Sequence, residues 1–165
     1  MEKIAEFQRV SKAQFNKDFA DKIGTALPDI EKINLPKRAT SGSAGYDFFA
    51  PCDITLNSGE GICIPTGIRA KMENGWVLCL FPRSSLGFKY RLQLDNTVGI
   101  IDSDYYYAQN EGHIMIKLTC DSKSDKTVTV KAGEAFAQGV FLPFGITNDD
   151  AATATRTGGF GSTNK

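Results

Sequence analysis

The sequence has no excess of charge of either sign, because its 165 residues include 19 basic and 19 acidic side chains. A chain without net positive charge lacks the electrostatic footprint of nucleic-acid-binding proteins, so we expect no nucleic-acid partner. No apolar run approaches the roughly 20 residues that a membrane-spanning helix needs. The N-terminal segment MEKIAEFQRV is charged and does not resemble a secretory signal. We therefore expect a cytoplasmic protein that does not associate with membranes.

Residues that commonly build metal or redox sites are also scarce. His113 is the single histidine, and the chain has only four cysteines, which lie far apart without CxxC spacing: Cys52, Cys63, Cys79 and Cys120. A zinc site built by the protein is therefore not expected. Reduced cysteines that pack in a cytoplasmic protein are the simplest interpretation. The pattern GxxxxGK[ST] is missing as well, which excludes a P-loop enzyme.

The apolar pattern that is present predicts an all-β fold with one short helix near the N-terminus. Ser11 is a suitable N-cap, and Phe15 and Phe19 share one face, which predicts a helix over residues 11–23. After Pro28, short apolar segments alternate with glycine, proline and asparagine, as in β-barrels and sandwiches. The predicted strands are 3–9, 45–50, 53–56, 61–71, 75–82, 92–95, 97–101, 112–120, 126–130 and 135–143.

The composition changes near residue 144. A chain of 165 residues can bury about 70% of its unfolded surface without disulfides or metals, and residues 1–144 are predicted to form a single β domain. Residues 145–165 are small, polar and glycine-rich, with Phe160 as the one aromatic residue among them. This composition predicts a flexible C-terminal arm.

Polar residues interrupt the apolar segments at points where strands end. In FPRSSL (81–86), Arg83 stands beside two serines, a combination that suits phosphate oxygens. In TVGIIDSDYYY (97–107), Asp102 ends an apolar strand, so packing would hold it in place as a general base requires. A surface arginine and a capped hairpin are the plain structural alternatives for these two segments.

Three further segments have a compatible chemistry. TSGSAGYD (40–47) presents Asp47 after two glycines, and GEAFAQGVF (133–141) places Gln138 among apolar neighbours. RTGGFGST (156–163) carries one ring among glycines, which could stack on a nucleotide base. A capped turn, an ordinary strand and a disordered tail explain them equally well one at a time. Together the five segments predict a nucleotide site with phosphate contacts, a carboxylate base and a closing lid.

In the order AGYD, PRSSL, NTVGIIDSDY, GEAFAQ and GGFGST, these segments resemble the five motifs of the homotrimeric dUTPase family, from about Pro36 to Thr163. The resemblance implies a jelly-roll-like β-barrel subunit and a homotrimer whose active sites each draw on all three chains. It implies hydrolysis of dUTP to dUMP and pyrophosphate with Mg²⁺. The helix over 11–23 resembles the elaboration of phage and prophage members.

The resemblance also implies roles for individual residues. Asp102 would activate the attacking water, and Tyr105 would pack beneath the deoxyribose and leave no room for a 2′-hydroxyl. The 96–101 hairpin would bind uracil through Asn96, Gly99 and Ile101. The phosphates would be held by Arg83, Ser84, Ser85 and Gln138.

Mg²⁺ would be ligated by phosphate oxygens, with Asp47 contacting it only through a water. The arm, residues 145–165, would close over a neighbouring chain's substrate with Arg156, Phe160, Gly161, Ser162 and Thr163. Two departures from the motifs concern this region and its surroundings. Arg156 stands four residues before Phe160, where five is commoner, and YYAQNE (106–111) is a longer loop, which we expect to alter the rim of the site and not its base.

Other functions remain open at this level. A dCTP deaminase would share the fold, but deamination needs a glutamate base where this chain has Asp102. A nucleotide-dependent regulatory protein acting on a repressor-type partner would use the 106–111 loop and the 11–23 helix. A purely structural jelly-roll trimer would not need Arg83 and Gln138 together with an acidic base.

Overall fold

The computed structural model describes residues 2–121, 126–154, 156 and 158. Short strands dominate these residues, with two α-helices and two 3₁₀ turns, Ile30–Lys32 and Ser103–Tyr107. In chain order the elements are β1 (Ala5–Arg9), α1 (Lys12–Lys22), β2 (Lys37–Arg38), β3 (Tyr46–Phe49), β4 (Ile54–Leu56), β5 (Gly61–Pro65), β6 (Ile68–Met72), β7 (Trp76–Pro82), α2 (Ser84–Tyr90), β8 (Leu92–Leu94), β9 (Gly99–Ile101), β10 (Met115–Cys120), β11 (Val128–Val130) and β12 (Ala135–Pro143).

The predicted N-terminal helix is confirmed as α1. The Ser11 side chain accepts a hydrogen bond from the Gln14 amide at 3.1 Å, which satisfies one of the amides left without a partner at a helix start. Phe15 and Phe19 are fully buried, with ring centroids 5.5 Å apart. Gly24 follows the helix at φ +147°. The helix therefore docks on the β domain through one aromatic face.

The strands form four antiparallel sheets within the described residues. The largest has the order β2-β3-β12-β7-β9, and a second has the order β5-β10-β8. The pairs β1-β6 and β4-β11 complete the set. The buried aliphatic and aromatic side chains of these sheets form one continuous core, including Phe48, Leu80, Ile116 and Phe136. The predicted all-β, jelly-roll-like class with one short N-terminal helix is confirmed.

Two local predictions are wrong. The single strand predicted over 61–71 is two strands, β5 and β6, separated by Thr66 and Gly67. Gly67 has φ +76°, and a Cβ atom there would lie 2.9 Å from the Ile33 side chain, so the chain turns where only glycine fits. The segment after Pro82, for which no helix was predicted, is the short helix α2.

The predicted arm is described only in part. Strand β12 ends at Pro143, and residues 145–154 are exposed. Phe160, Gly161, Ser162 and Thr163 lie outside the described residues. None of the described helices combines the length and apolar character required to cross a membrane.

Candidate functional site

The predicted phosphate-binding residues meet at the end of the largest sheet. Strand β12 lies between β3 and β7, so Gln138 stands opposite Asp47 on one side and Phe81 on the other. Arg83 follows β7 directly. The resulting pocket of about 310 Å³ is lined by Ala39, Ser43, Gly45, Asp47, Arg83, Ser84, Ser85 and Gln138. The structure therefore brings three of the five predicted segments together.

Hydrogen bonds fix the orientation of the side chains in this pocket. Arg83 Nε lies 3.2 Å from Asp47 Oδ1, and Arg83 Nη1 donates to the Ala135 carbonyl at 3.1 Å. Gln138 Nε2 donates to the Pro82 carbonyl at 3.0 Å. Because these contacts orient the Arg83 guanidinium before any ligand binds, less conformational entropy would be lost on binding a phosphate.

Steric crowding in this pocket explains why AGYD has a glycine at position 45. A Cβ atom at Gly45 would lie 2.6 Å from Gln138 Oε1, so any other residue would displace the glutamine amide. Ser84 and Ser85 form the first turn of α2, whose amide groups have no carbonyl partner within the helix. The pocket therefore combines a cation, an amide and backbone donors, which is a chemistry suited to phosphate oxygens.

Asp102 is positioned by the strand that precedes it. Strand β9 pairs with β7, with Ile101 opposite Leu78 and Gly99 opposite Leu80. Ile101 is 1% exposed, whereas the Asp102 side chain is 47% exposed. A carboxylate that emerges directly after a buried anchor has a defined direction and access to solvent. These are the requirements of a general base that acts on water.

The hairpin before β9 has a strained turn. Thr97 has φ +65°, its amide donates to the Leu94 carbonyl at 3.0 Å, and the Val98 amide donates to Asn96 at 2.7 Å. A Cβ atom at Gly99 would lie 3.0 Å from Leu80 Cβ, so a larger residue there would require Leu80 or strand β9 to shift. The predicted contact of Asn96, Gly99 and Ile101 with a base remains a prediction.

Tyr105 is buried behind Asp102, with 3% of its surface exposed. Its hydroxyl donates to the His113 carbonyl at 2.8 Å and accepts from Asn110 Nδ2 at 2.8 Å. Burial raises the pKa of Tyr105 to about 12, so the phenol is neutral at physiological pH. Neither Asn110 nor His113 was predicted for this site from the sequence. The unusual length of the 106–111 loop was the one sequence feature that could have pointed to these two residues.

Arg156 of the arm forms an ion pair with Asp102, the candidate general base, of its own chain. Its Nη2 atom contacts Asp102 Oδ2, and its Nε atom donates to Asp104 Oδ1 at 3.0 Å. The guanidinium carbon is 5.7 Å from the centre of the Tyr105 ring. In this arrangement Arg156 neutralises the two carboxylates at the end of β9. The predicted contact of Arg156 with phosphate remains a prediction.

The pocket that contains Arg83 lies at one end of β7, and the side chain of Asp102 lies at the opposite end. Continuing the register of Ile101 opposite Leu78 places Asp102 beside Val77, six residues before Arg83. At about 3.3 Å per residue, the two groups are about 20 Å apart along the strand. One chain therefore does not bring the candidate base to the phosphate pocket.

The described residues contain no group of three or more histidine, cysteine, aspartate or glutamate side chains that could cage a metal ion. Asp47 nevertheless offers hard oxygen atoms at the edge of the pocket that Arg83 and Gln138 line. Mg²⁺ keeps several waters and is commonly bound by one or two carboxylates together with substrate phosphates. The residues present therefore fit a Mg²⁺ ion that arrives with a phosphorylated ligand.

Comparison with known sequences identifies what this chain is similar to. The family model described as dUTPase matches residues 31–164. The deoxyuridine 5′-triphosphate nucleotidohydrolase of Lactococcus lactis is 45% identical over 134 residues, covering 79% of this chain and 88% of that protein. The protein of the same name from Actinobacillus pleuropneumoniae is 40% identical over 152 residues, covering 87% of this chain and 92% of that protein.

Solved structures agree with the sequence comparison. The crystal structure of dUTPase from Streptococcus mutans has a TM-score of 0.65 and 38% identity, and the match covers 86% of this chain and 98% of that chain. The dUTPase from phage phi11 of Staphylococcus aureus has a TM-score of 0.63, with coverage of 92% and 97%. At 19% identity, the phage enzyme is evidence for the fold alone.

Proposed function

This chain belongs to the dUTPase family and hydrolyses dUTP, and we propose that Asp102 is the general base of that reaction. The observation that carries this proposal is the exit of Asp102 from the buried strand β9, where Ile101 fixes its direction. The carboxylate takes a proton from a water molecule, and the water oxygen attacks the α-phosphorus. The bond to the bridging oxygen breaks, so the products are dUMP and pyrophosphate. A positioned base contributes about 10²–10⁴-fold to such a rate.

Phosphate binding is proposed for Arg83, Ser84, Ser85 and Gln138, whose shared pocket supports this assignment. The ion pair between Arg83 and Asp47 keeps the guanidinium in place before substrate arrives. Mg²⁺, bound with the substrate, would supply neutralisation of phosphate charge, and Asp47 would hold one of its waters. Neutralising charge and aligning the reacting atoms supply the remaining rate enhancement.

Selectivity for uracil and deoxyribose is proposed for the segment from Asn96 to Tyr105. Asn96, Gly99 and Ile101 of the hairpin would contact the base. The fixed, buried ring of Tyr105 would lie beneath the sugar and exclude a 2′-hydroxyl. A pocket that offers hydrogen-bond partners rejects the wrong base more strongly than one that is only apolar.

We propose a homotrimer with shared active sites. The separation of Arg83 and Asp102 along β7 supports the sharing, because one chain does not bring these two side chains together. Asp102 of one chain would meet the phosphate pocket of another, since the two lie at opposite ends of β7 within a chain. We propose residues 1–144 as the β domain and residues 145–165 as the arm. The arm would complete a neighbouring site with Arg156, Phe160, Gly161, Ser162 and Thr163. The four free thiols support a cytoplasmic location.

The proposal is tested by measuring pyrophosphate release from dUTP, dCTP, dTTP and UTP, each with and without Mg²⁺. We expect rapid release from dUTP with Mg²⁺ and little from the other nucleotides. Equal rates with dUTP and UTP would contradict the role of Tyr105. Equal rates with and without Mg²⁺ would contradict the cofactor, and no release from dUTP would contradict the activity itself.

A further inference from the structure

We propose that helix α1 holds Tyr105 in position, and that Asp18 is the positioning residue that transmits this support through His113. The inference rests on the proposed function, in which Tyr105 lies beneath the deoxyribose. It assigns to α1 a part in sugar selectivity, although α1 lies outside residues 31–164 that match the family model.

The first connection joins the start of α1 to the loop that follows Tyr105. The Ser11 amide donates to Glu111 Oε2 at 2.7 Å, and its hydroxyl donates to Glu111 Oε1 at 2.6 Å. Glu111 has φ +59°, a conformation that is unfavourable for residues other than glycine and persists where surrounding contacts hold it. The N-cap of the helix therefore also holds the loop in a strained shape.

The second connection is a buried hydrogen bond from Asp18 in the middle of α1. Asp18 Oδ2 lies 2.6 Å from His113 Nδ1, and the histidine side chain is fully buried. The Gly67 amide donates to His113 Nε2 at 2.8 Å, so Nε2 must carry the lone pair. The proton is then on Nδ1, which donates to Asp18. Burial lowers the pKa of His113, in agreement with this neutral form.

The third connection passes from His113 to Tyr105. The His113 carbonyl accepts the Tyr105 hydroxyl at 2.8 Å and Asn110 Nδ2 at 3.3 Å. The loop lies directly on the tyrosine backbone, because a Cβ atom at Gly112 would be 2.7 Å from the Tyr105 carbonyl oxygen. A displacement of His113 therefore moves the group that holds the Tyr105 hydroxyl. Asn110 of the 106–111 loop also donates to the Tyr105 hydroxyl, so this loop supports the ring that would lie under the sugar.

The test compares Asp18→Ala with Asp21→Ala, a change on the same helix at a residue whose ion pair is with the neighbouring Lys22. For each variant, kcat and KM are measured with dUTP and with UTP. We expect Asp18→Ala to lower the preference of kcat/KM for dUTP over UTP about fivefold, mainly through a higher KM for dUTP. Asp21→Ala should keep the wild-type preference. Asp18→Asn keeps an acceptor oxygen, so its preference for dUTP over UTP should lie between those of Asp18→Ala and the wild-type protein.

A double-mutant cycle with Tyr105→Phe identifies the route, because phenylalanine has no hydroxyl for the His113 carbonyl. If Asp18 acts through this hydrogen bond, Asp18→Ala causes no further loss of preference in the Tyr105→Phe background. A full additional loss would refute the route. A lower melting temperature with unchanged preference and KM would show that Asp18 has only a structural role.

The design separates failure of this inference from failure of the proposed function. A wild-type protein that hydrolyses UTP as well as dUTP contradicts the role of Tyr105 itself. A selective wild-type protein whose Asp18→Ala variant is equally selective contradicts only the role of α1. If Asp18→Ala does not fold, Asp18→Leu and Glu111→Ala, which also lack the acceptor oxygen, provide the same comparison, and wild-type preference in both would overturn the inference.

Discussion

At the residue scale, the position of Asp102 depends on the residue before it. Ile101 is buried against β7, and the next side chain reaches solvent because side chains alternate along a strand. Asp104 lies two residues further on and shares Arg156 with Asp102. Two carboxylates with similar surroundings therefore offer a matched pair for separating a catalytic from an electrostatic contribution.

We predict that Asp102→Asn lowers kcat for dUTP by about 10²–10⁴-fold, because the amide cannot accept a proton from water. Binding of a non-hydrolysable dUTP analogue should change little. Pyrophosphate release and titration calorimetry measure the two quantities. Asp104→Asn is the control and should retain most of the activity, since Asp104 is not proposed to touch the attacking water. Turnover at the wild-type rate in Asp102→Asn would refute the base assignment.

His113 gives the protein a pH-dependent stability. Burial lowers its pKa below the ordinary value of 6.5, against the opposing effect of Asp18 and Glu111. Between this lowered pKa and 6.5, the unfolded chain binds more protons than the folded chain. The free energy of unfolding should therefore fall as the pH decreases below about 6.5. The lowered pKa of Glu111 acts in the same direction, but below its ordinary value of 4.5.

We predict that His113→Gln flattens the pH dependence of stability below about pH 6.5, above the range in which carboxylates titrate, whatever it does to stability at pH 7. Urea unfolding at a series of pH values measures the slope in each protein. An identical slope in the variant and the wild-type protein would mean that His113 is not the titrating group in this range.

At the scale of elements, alternation of apolar residues predicted most strands, because each strand buries one face of a sheet. The break between β5 and β6 was missed although Pro65 and Gly67 are turn residues, because apolar residues continue on both sides of them. That Phe15 and Ile33 pack beside Gly67 is visible only in the folded chain. Helix α2 was missed because none of its residues is buried and Phe88 is 91% exposed. A helix without a buried face leaves no periodic signal in the sequence.

We predict that Gly67→Ala lowers the free energy of unfolding by about 1–3 kcal/mol, because alanine is strained at φ +76° and its Cβ meets the Ile33 side chain. Urea unfolding measures the change. Gly42→Ala is the matched control, since that position has open space around it, and it should be close to neutral. Equal stability of the two variants would show that the turn tolerates a side chain.

At the scale of the whole molecule, the arrangement along β7 is the main consequence of the fold. Arg83 and Asp102 stand at opposite ends of one strand, so in the proposed reaction they would meet across two chains. This geometry makes subunit mixing informative. A chain that has lost its base still carries a phosphate pocket, and a chain that has lost Arg83 still carries a base.

We predict that trimers assembled from equal amounts of Asp102→Asn and Arg83→Ala chains recover activity, although each variant alone is nearly inactive. With random mixing and the site shared between chains, about a quarter of the sites pair an intact pocket with an intact base. Co-refolding followed by pyrophosphate release measures the recovery. No recovery, despite mixed trimers verified by mass spectrometry, would place the whole site within one chain.

We also predict that deleting residues 158–165 removes most of the activity without unfolding the β domain. The strands and the buried core lie before this segment, so the circular dichroism spectrum and melting temperature should stay close to those of the full chain. The segment carries the proposed closing residues, including Phe160. Full activity in the shortened protein would show that the arm is not a lid.

The sequence by itself determined the β class, the N-terminal helix and the five polar segments that identify the family. Apolar alternation, capping residues and side-chain chemistry are local properties, so they can be read one residue after another. Only the tertiary structure decided that Asp18 meets His113 across 95 residues of chain and that Arg83 and Asp102 stand at opposite ends of β7. Such contacts depend on strand register and helix docking, which are set by packing of the whole core and not by any one segment.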